Sequence, residues 1–192
     1  MSESNQTSKY QKKIITIPNV LSFIRLCLIP VIIWLYLGKE DYLLTGIVLI
    51  VSALTDIVDG TIARKFNMIS DLGKVLDPIA DKATQLVVMI LLLIDFPLMW
   101  LPIIMTAIKE TFMAISGALI IKKCGVVLGA VWHGKAATVI LTAVMALHLV
   151  WHNIHPIVSA ILISVSAGMI MLSLVLYAIR NFGYLLGKTK AE

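Results

Sequence analysis

The sequence predicts an all-α integral membrane protein built as a bundle of six transmembrane helices. Of its 192 residues, 59% are hydrophobic and only 14% are charged, which is more apolar surface than a soluble domain of this length covers. The apolar residues form six stretches, and each is long enough to cross the hydrocarbon of a bilayer. Because lipid offers no partners to backbone N–H and C=O groups, each stretch is expected to be a helix.

The six predicted spans are separated by short breaks that contain glycine, proline or charged residues. The connection between the second and third spans differs from the others because it is rich in charge. No internal repeat accompanies the spans, and one bundle is predicted for a chain of this length. The predicted spans are residues 20–37, 43–63, 72–94, 98–121, 131–151 and 157–179, with breaks at 38–41, 95–97, 122–125 and 152–156.

The segment that precedes the first span is polar. The apolar run at 20–37 is not followed by a small-residue cleavage site, so we expect it to remain as a span. Residues 9–17 either form a short helix on the lipid headgroups or belong to a disordered tail. The predicted organisation is an N-terminal cytoplasmic or interfacial segment 1–17, a membrane domain 18–182 and a C-terminal cytoplasmic tail 183–192.

The sixteen Lys and Arg residues predict the orientation, because basic residues stay preferentially on the cytoplasmic side. Fourteen fall on the side that holds both termini and the second-to-third connection, Lys39 falls on the other side, and Lys109 lies within a span. Both termini and that connection are therefore predicted to be cytoplasmic. Attraction to anionic headgroups explains the net charge of +5, and nucleic acid is not expected as a partner.

Four aspartates lie at the predicted cytoplasmic ends of the second and third spans. Asp56 and Asp59 are three residues apart, and Asp77 and Asp81 are four apart, so each pair occupies one face of its helix. The short connection makes the two helices antiparallel neighbours, which can bring the two faces together. Four carboxylates this close to hydrocarbon repel one another and are poorly solvated unless they are paired or bind cations.

The ligand chemistry of these carboxylates favours hard divalent ions such as Mg2+, Mn2+ or Ca2+. Four anions can hold two such ions, an arrangement suited to activating a phosphoryl group together with a leaving phosphate. The alternative is a structural role, in which the aspartates form ion pairs with Arg64, Lys74 and Lys82. Because ionisable residues within membrane segments usually mark functional sites, we favour a site for two metal ions at the four aspartates.

Two glycines and an arginine accompany the aspartates. Gly60 and Gly73 fall one turn from Asp56 and Asp77, where the missing side chain lets a bulky group approach the backbone. Close helix packing is the alternative reason for both glycines. Arg64 lies two turns beyond Asp56 and presents a planar fork of donors that suits a diphosphate.

The pattern D-x2-D-G-x2-A-R-x8-G-x3-D-x3-D, over residues 56–81, resembles the signature of the CDP-alcohol phosphatidyltransferases, with all eight fixed positions present. The segment Ile17-Pro18-Asn19-Val20-Leu21-Ser22-x2-Arg25 also resembles the entry to the first helix in bacterial members. The resemblance implies a homodimeric enzyme of the bacterial cytoplasmic membrane. Such an enzyme transfers a phosphatidyl group from CDP-diacylglycerol to an alcohol and releases CMP.

The resemblance also implies roles for individual residues. Asp56, Asp59 and Asp77 would bind Mg2+ or Mn2+, with two ions expected. Asp81 would be a further ligand and also the base that deprotonates the acceptor hydroxyl, because an alcohol is a poor nucleophile until its proton is removed. The residues implied for CDP-diacylglycerol binding are Asn19, Gly60, Arg64, Ser70 and Gly73.

The fourth and fifth spans bear on the acceptor alcohol. Lys109, beside Glu110, and Lys135 resemble acceptor-binding residues of bacterial phosphatidylglycerophosphate synthases, although Lys109 also fits a structural ion pair and Lys135 a membrane anchor. The chain departs from that pattern, since Lys109 replaces an arginine, Gly117 a second arginine and Ala137 a lysine. The weaker cationic contacts resemble those of cardiolipin synthases, which accept phosphatidylglycerol. We expect glycerol 3-phosphate as the acceptor, with phosphatidylglycerol as the alternative.

Two other functional classes fit parts of the pattern. A cation transporter also carries intramembrane carboxylates, but such sites usually lie near the midplane, in broken helices with repeat symmetry. A noncatalytic lipid-binding protein that retained the fold would tolerate the loss of Asp81. The position of the aspartates at one face of the membrane favours the enzyme over the transporter.

Three histidines near the outer end of the fifth span have a spacing that a metal could use. They are His148, His152 and His155. Pro156 and the short turn favour interfacial polar residues over a metal site.

Overall fold

A computed structural model describes residues 17–65, 73–126, 128–129 and 131–186 of the chain. In these residues the regular structure consists of six α-helices, one short π-helix and one 3-10 helix, without a strand. The prediction of an all-α fold is confirmed for this part of the chain. The predicted N-terminal segment apart from Ile17, the chain beyond Leu186, and Ser70 lie outside the described residues.

The chain divides into two compact units, residues 1–87 and residues 88–192. In the first unit, α1 (Ile17–Ile33) continues into the π-helix Trp34–Gly38, and both pack against α2 (Tyr42–Lys65). The third helix, α3 (Gly73–Asp95), begins in the first unit, and the boundary between the units falls inside it.

The break predicted at 38–41 lies between the π-helix and α2, except that Gly38 is still the last residue of the π-helix. Asp41 precedes α2, and its carboxylate accepts the N–H of Leu44 at 2.9 Å. The Thr45 hydroxyl donates to the carbonyl oxygen of Asp41 at 2.7 Å. An aspartate at this position satisfies an N–H group that the start of a helix otherwise leaves without a partner.

The second unit contains the end of α3, the 3-10 helix Pro97–Met99, α4 (Trp100–Cys124), α5 (Trp132–Val150) and α6 (Pro156–Leu185). The helix α6 packs against both α4 and α5. The break predicted at 122–125 begins too early, because α4 continues through Lys122 and Lys123 to Cys124. Gly125 then ends the helix with a φ of 68°, a left-handed conformation that glycine adopts without strain.

Four helical segments among the described residues are long and apolar enough to cross a membrane: Val20–Gly38, Pro97–Lys123, Trp132–Val150 and Pro156–Leu185. The helices α2 and α3 have 24 and 23 residues, which gives each a length of about 35 Å. They also carry the charged residues of the signature, and among the described residues of α2 the stretch Tyr42–Thr55 is apolar but shorter than a membrane span. The count of six spans therefore remains a prediction.

The interpretation of the outer histidines as interfacial residues is wrong for His148, which is completely buried. Its Nδ1 lies 2.8 Å from the carbonyl oxygen of Val144, and its Nε2 lies 2.9 Å from the Ser159 hydroxyl. Because a carbonyl oxygen only accepts, Nδ1 donates to Val144 and Nε2 accepts from Ser159. His148 thus connects α5 to α6 through a hydrogen bond between two buried side chains.

Candidate functional site

The aspartates of the signature lie on regular helices. Asp56 and Asp59 belong to α2, and Asp77 and Asp81 belong to the first turns of α3, so each pair occupies one helical face, as the spacing requires. The side chains of Asp56 and Asp59 lie outside the described part of the structure. Among the described side chains there is no cluster of three or more His, Cys, Asp or Glu. The four-carboxylate site therefore remains a prediction.

The predicted residues for CDP-diacylglycerol are placed only by their backbone. Asn19 lies in the first turn of α1, Gly60 and Arg64 lie in α2, and Gly73 is the first residue of α3. The side chains of Asn19 and Arg64 are outside the described part, as is the whole of Ser70. Their proposed contacts with a nucleotide are predictions.

Ser22 of α1 hydrogen-bonds one of the predicted metal ligands. Its hydroxyl donates to Oδ1 of the half-buried Asp77, and Ser22 itself is only 1% exposed. A buried hydroxyl that donates to one carboxylate oxygen fixes the orientation of the carboxylate and leaves the other oxygen available to a metal. Sequence reasoning included Ser22 in the resemblance at the first helix but did not assign it to the site.

A second group of polar residues lies in the second unit, between α4, α5 and α6. Lys109 of α4 is 8% exposed, and its Nζ lies 3.0 Å from Oε1 of Glu110. The structural ion pair that the sequence offered as an alternative role for Lys109 is therefore present, with Glu110 as the partner. Burial of an ammonium group without such a partner would be costly, so Glu110 explains how α4 accommodates Lys109.

His133 and Tyr177 form the centre of this group. Nδ1 of His133 lies 3.3 Å from the Ser173 hydroxyl, and the rings of His133 and Tyr177 pack edge to face with centroids 4.5 Å apart. The guanidinium of Arg180 lies over the Tyr177 ring at 4.9 Å. Both Lys109 and Arg180 are within electrostatic range of His133. The group therefore contains two basic residues, Lys109 and Arg180, in addition to His133.

Arg180 is only partly satisfied by hydrogen bonds. Its Nε donates to Oδ1 of Asn181 at 3.3 Å, and its Nη1 donates to the carbonyl oxygen of Gly129 at 3.0 Å. Its Nη2 is buried and has no hydrogen-bond partner among the described residues. Asn181 in turn donates to the Ser116 hydroxyl at 2.7 Å, which ties α6 to α4. Among the described residues, Arg180 therefore has one buried donor that is not used.

Lys135, the other predicted acceptor residue, is exposed at the start of α5. Its backbone N–H donates to the carbonyl oxygen of Val131 at 3.3 Å. Sequence reasoning named Lys109 and Lys135 in this region but missed Tyr177, Arg180 and Asn181. A polar cluster at positions 177, 180 and 181 of the last helix was the available signal, and it was read as the end of a membrane span.

The chain matches the sequence model of a family described as CDP-alcohol phosphatidyltransferase over residues 15–181. This match includes all four aspartates and the polar group of the second unit.

Among curated proteins, the chain is 32% identical over 123 residues to "Cardiolipin synthase (CMP-forming)" of Streptomyces coelicolor. The aligned residues cover 61% of this chain and 57% of that protein. It is 46% identical over 66 residues to "CDP-diacylglycerol--glycerol-3-phosphate 3-phosphatidyltransferase" of Aquifex aeolicus, covering 34% of this chain and 36% of that protein. A protein with the same name from Rickettsia bellii is 40% identical over 79 residues, covering 40% of this chain and 44% of that protein. The matches thus span between about one third and three fifths of these relatives.

Proposed function

Because the chain belongs to the CDP-alcohol phosphatidyltransferase family, we propose that it transfers the phosphatidyl group of CDP-diacylglycerol to an alcohol and releases CMP. The observation that supports this activity best is the complete aspartate signature, carried on the helical backbone of α2 and α3. In the reaction, the acceptor oxygen forms a bond to the phosphatidyl phosphorus. The bond from that phosphorus to the CMP phosphate breaks, and CMP leaves.

Two divalent ions, Mg2+ or Mn2+, would be held by Asp56, Asp59, Asp77 and Asp81. The donor set fits such ions, because it consists of carboxylate oxygens. The hydroxyl of Ser22 also donates a hydrogen bond to one of these carboxylates, that of Asp77. When bound, the ions supply positive charge that stabilises the diphosphate and the departing CMP.

Asp81 is proposed as the base that takes the proton of the acceptor hydroxyl. It lies one turn after Asp77 on α3, so it occupies the same helical face as a metal ligand. The residues proposed to hold the cytidine and diphosphate of CDP-diacylglycerol are Asn19, Gly60, Arg64, Ser70 and Gly73.

Glycerol 3-phosphate is the proposed acceptor, and its product is phosphatidylglycerophosphate. Support comes from the second unit, which holds the buried Lys109 and an Arg180 whose buried Nη2 has no hydrogen-bond partner among the described residues. A phosphate dianion is bound best by several charge-assisted hydrogen bonds. We propose that Arg180 donates one such bond, in place of the arginines that are absent at positions 109 and 117. Exposed Lys135 is proposed to contribute a further cation.

Phosphatidylglycerol is the alternative acceptor, which would make the protein a cardiolipin synthase. The name of the Streptomyces coelicolor relative favours this alternative. Lys109 is already paired with Glu110 at 3.0 Å, which lowers the positive charge available to a dianion.

For the whole protein, we propose six membrane spans with both termini and the aspartates on the cytoplasmic side. The four apolar segments support four spans, and the length of α2 and α3 is sufficient for two more. A homodimer in a bacterial cytoplasmic membrane is part of the same proposal.

The activity is tested by CMP release from purified protein with CDP-diacylglycerol and either glycerol 3-phosphate or phosphatidylglycerol. We expect turnover that requires Mg2+ or Mn2+, is abolished by a chelator and is restored by adding the metal. Turnover with phosphatidylglycerol alone would assign the cardiolipin reaction. Absence of CMP release with both acceptors and metals would contradict the proposed activity.

A further inference from the structure

A tyrosine of α6 holds the start of α5 through its hydroxyl group. The Tyr177 hydroxyl accepts the N–H of Val131 at 3.1 Å. Val131 is extended and immediately precedes the first helical residue of α5. Its carbonyl oxygen accepts the N–H groups of Gly134 and Lys135 at 3.0 and 3.3 Å. One residue, Val131, therefore links the Tyr177 hydroxyl to the backbone of Lys135.

The position of the Tyr177 ring is itself fixed by packing. The ring is 3% exposed, it contacts the edge of His133, and it carries the Arg180 guanidinium on its face. Arg180 also donates to the carbonyl oxygen of Gly129, two residues before Val131. Two residues of α6 thus bind the backbone of the segment that leads into α5, and aromatic and cation–π contacts hold the tyrosine in place.

Gly134 provides independent support for this arrangement. A Cβ atom at Gly134 would lie 2.3 Å from the Tyr177 hydroxyl oxygen and 2.8 and 2.9 Å from two of its ring carbons. Because the ring is buried and contacts both His133 and Arg180, it cannot move away without losing these contacts. Glycine is therefore required here for the close approach of α5 to Tyr177, and not for a special backbone conformation.

We propose that Tyr177 is a positioning residue for the acceptor. Together with Gly134, it fixes the first turn of α5, so that the backbone of Lys135 is ordered before Lys135 binds the anionic acceptor. This inference rests on the proposed function, because Lys135 has an acceptor to bind only if the protein is a phosphatidyltransferase. A segment that is fixed before binding loses less conformational freedom when the ligand arrives, and the benefit is specific to that ligand. The KM for the acceptor, and not the KM for CDP-diacylglycerol, should therefore depend on Tyr177.

The test measures the Michaelis constants of both substrates for the Tyr177→Phe protein in detergent micelles. We expect the KM for glycerol 3-phosphate to rise by about threefold to tenfold, the scale of one lost hydrogen bond. The KM for CDP-diacylglycerol should remain unchanged. Gly134→Ala should raise the acceptor KM at least as much, because it displaces the whole ring. If the unaltered protein uses only phosphatidylglycerol, the same comparison is made with that acceptor.

Matched controls come from the same helix as Tyr177. Gly168→Ala introduces a Cβ that meets no described atom within 4 Å. Ser166→Ala removes a buried hydroxyl that donates to the carbonyl oxygen of Ile163 in the same helix. Neither control should change the acceptor KM. The melting temperature of each variant shows whether it folds, and Tyr177→Phe keeps the test valid if Gly134→Ala does not fold.

Equal losses for both substrates, or an unchanged acceptor KM in Tyr177→Phe, would overturn the inference and leave the proposed function intact. Failure of the unaltered protein to release CMP contradicts the proposed function instead. The two failures are thus distinguished by the unaltered protein alone.

Discussion

Ser22 shows how a single hydroxyl in an apolar helix can serve a charged site. In hydrocarbon a serine is a small residue that usually bonds to its own helix, but Ser22 donates to Asp77, 55 residues away along the chain. In a poorly hydrated environment this bond is stronger than in water, and at the proposed metal site it would bias which oxygen of Asp77 points toward a cation. The buried Arg25, 4% exposed, lies one turn further along α1.

Replacing Ser22 by alanine should weaken metal binding. We expect the Mn2+ concentration for half-maximal CMP release to rise by about tenfold or more, the usual effect of losing a residue that orients a metal ligand. Ser22→Thr retains a hydroxyl and should restore most of the affinity, while Ser166→Ala should have no effect. The measurement is a metal titration at saturating substrates. An unchanged midpoint in Ser22→Ala would show that the hydroxyl has no part in metal binding.

Asp81→Asn should nearly abolish CMP release, because an amide cannot take the proton of the acceptor hydroxyl. We expect a loss of at least about a hundredfold in kcat, the lower range for removal of a general base. The matched control is Asp95→Asn, the same substitution at the other end of α3, which should retain activity. Melting temperatures of both variants verify folding. An Asp81→Asn protein that kept the unaltered rate would exclude Asp81 as the base.

The four aspartates could be assigned to shared helical faces from the sequence because their spacing is local, whereas the metal site itself remains a prediction. The i, i+3 and i, i+4 pairs depend only on helical geometry, which the structure confirms for the backbone of α2 and α3. Ser22 and Tyr177 could not be predicted in this way. Their partners, Asp77 and Val131, are far away in sequence, and a serine or tyrosine in a membrane helix has no pattern that reveals a distant partner.

At the level of helices, apolar runs gave good predictions of where spans begin and poorer predictions of where they end. Lys122 and Lys123 were assigned to a break, but lysine has high helix propensity and can reach the headgroups from within a helix. The helix therefore continues to Cys124. In the same way α6 extends to Leu185, six residues beyond the predicted end at 179. The Lys123 ammonium donates to the Leu185 carbonyl oxygen at 2.7 Å, which stabilises that extension.

The buried bond between His148 and Ser159 should stabilise the packing of α5 on α6. His148→Leu leaves the Ser159 hydroxyl without its partner, at a cost of about 1–3 kcal/mol. We expect a lower melting temperature in detergent and an unchanged KM for both substrates. Adding Ser159→Ala should recover part of the loss, because both polar groups are then absent. The control is Asn153→Ala, which changes an exposed residue in the turn between α5 and α6. Equal melting temperatures for His148→Leu and the control would contradict a stabilising bond.

The topology of the whole molecule depends on whether α2 and α3 cross the membrane. If they do, Lys65 lies on the cytoplasmic side; if only the four apolar segments cross, Lys65 lies on the same side as Lys39. Single cysteines at these positions, in a protein with Cys27 and Cys124 replaced by serine, distinguish the two cases. In right-side-out vesicles, an impermeant maleimide should label Lys39→Cys immediately and Lys65→Cys only after permeabilisation. Immediate labelling of both would reduce the number of spans to four.

The length of α6 has a consequence for the fit of the protein to its bilayer. A continuous helix of 30 residues is about 45 Å long, whereas the hydrocarbon is about 30 Å thick. Even at a typical tilt of about 20°, α6 extends about 42 Å along the membrane normal. Roughly 12 Å of helix must therefore stand among the headgroups. A thinner or thicker membrane therefore changes how much of α6 protrudes into the headgroups.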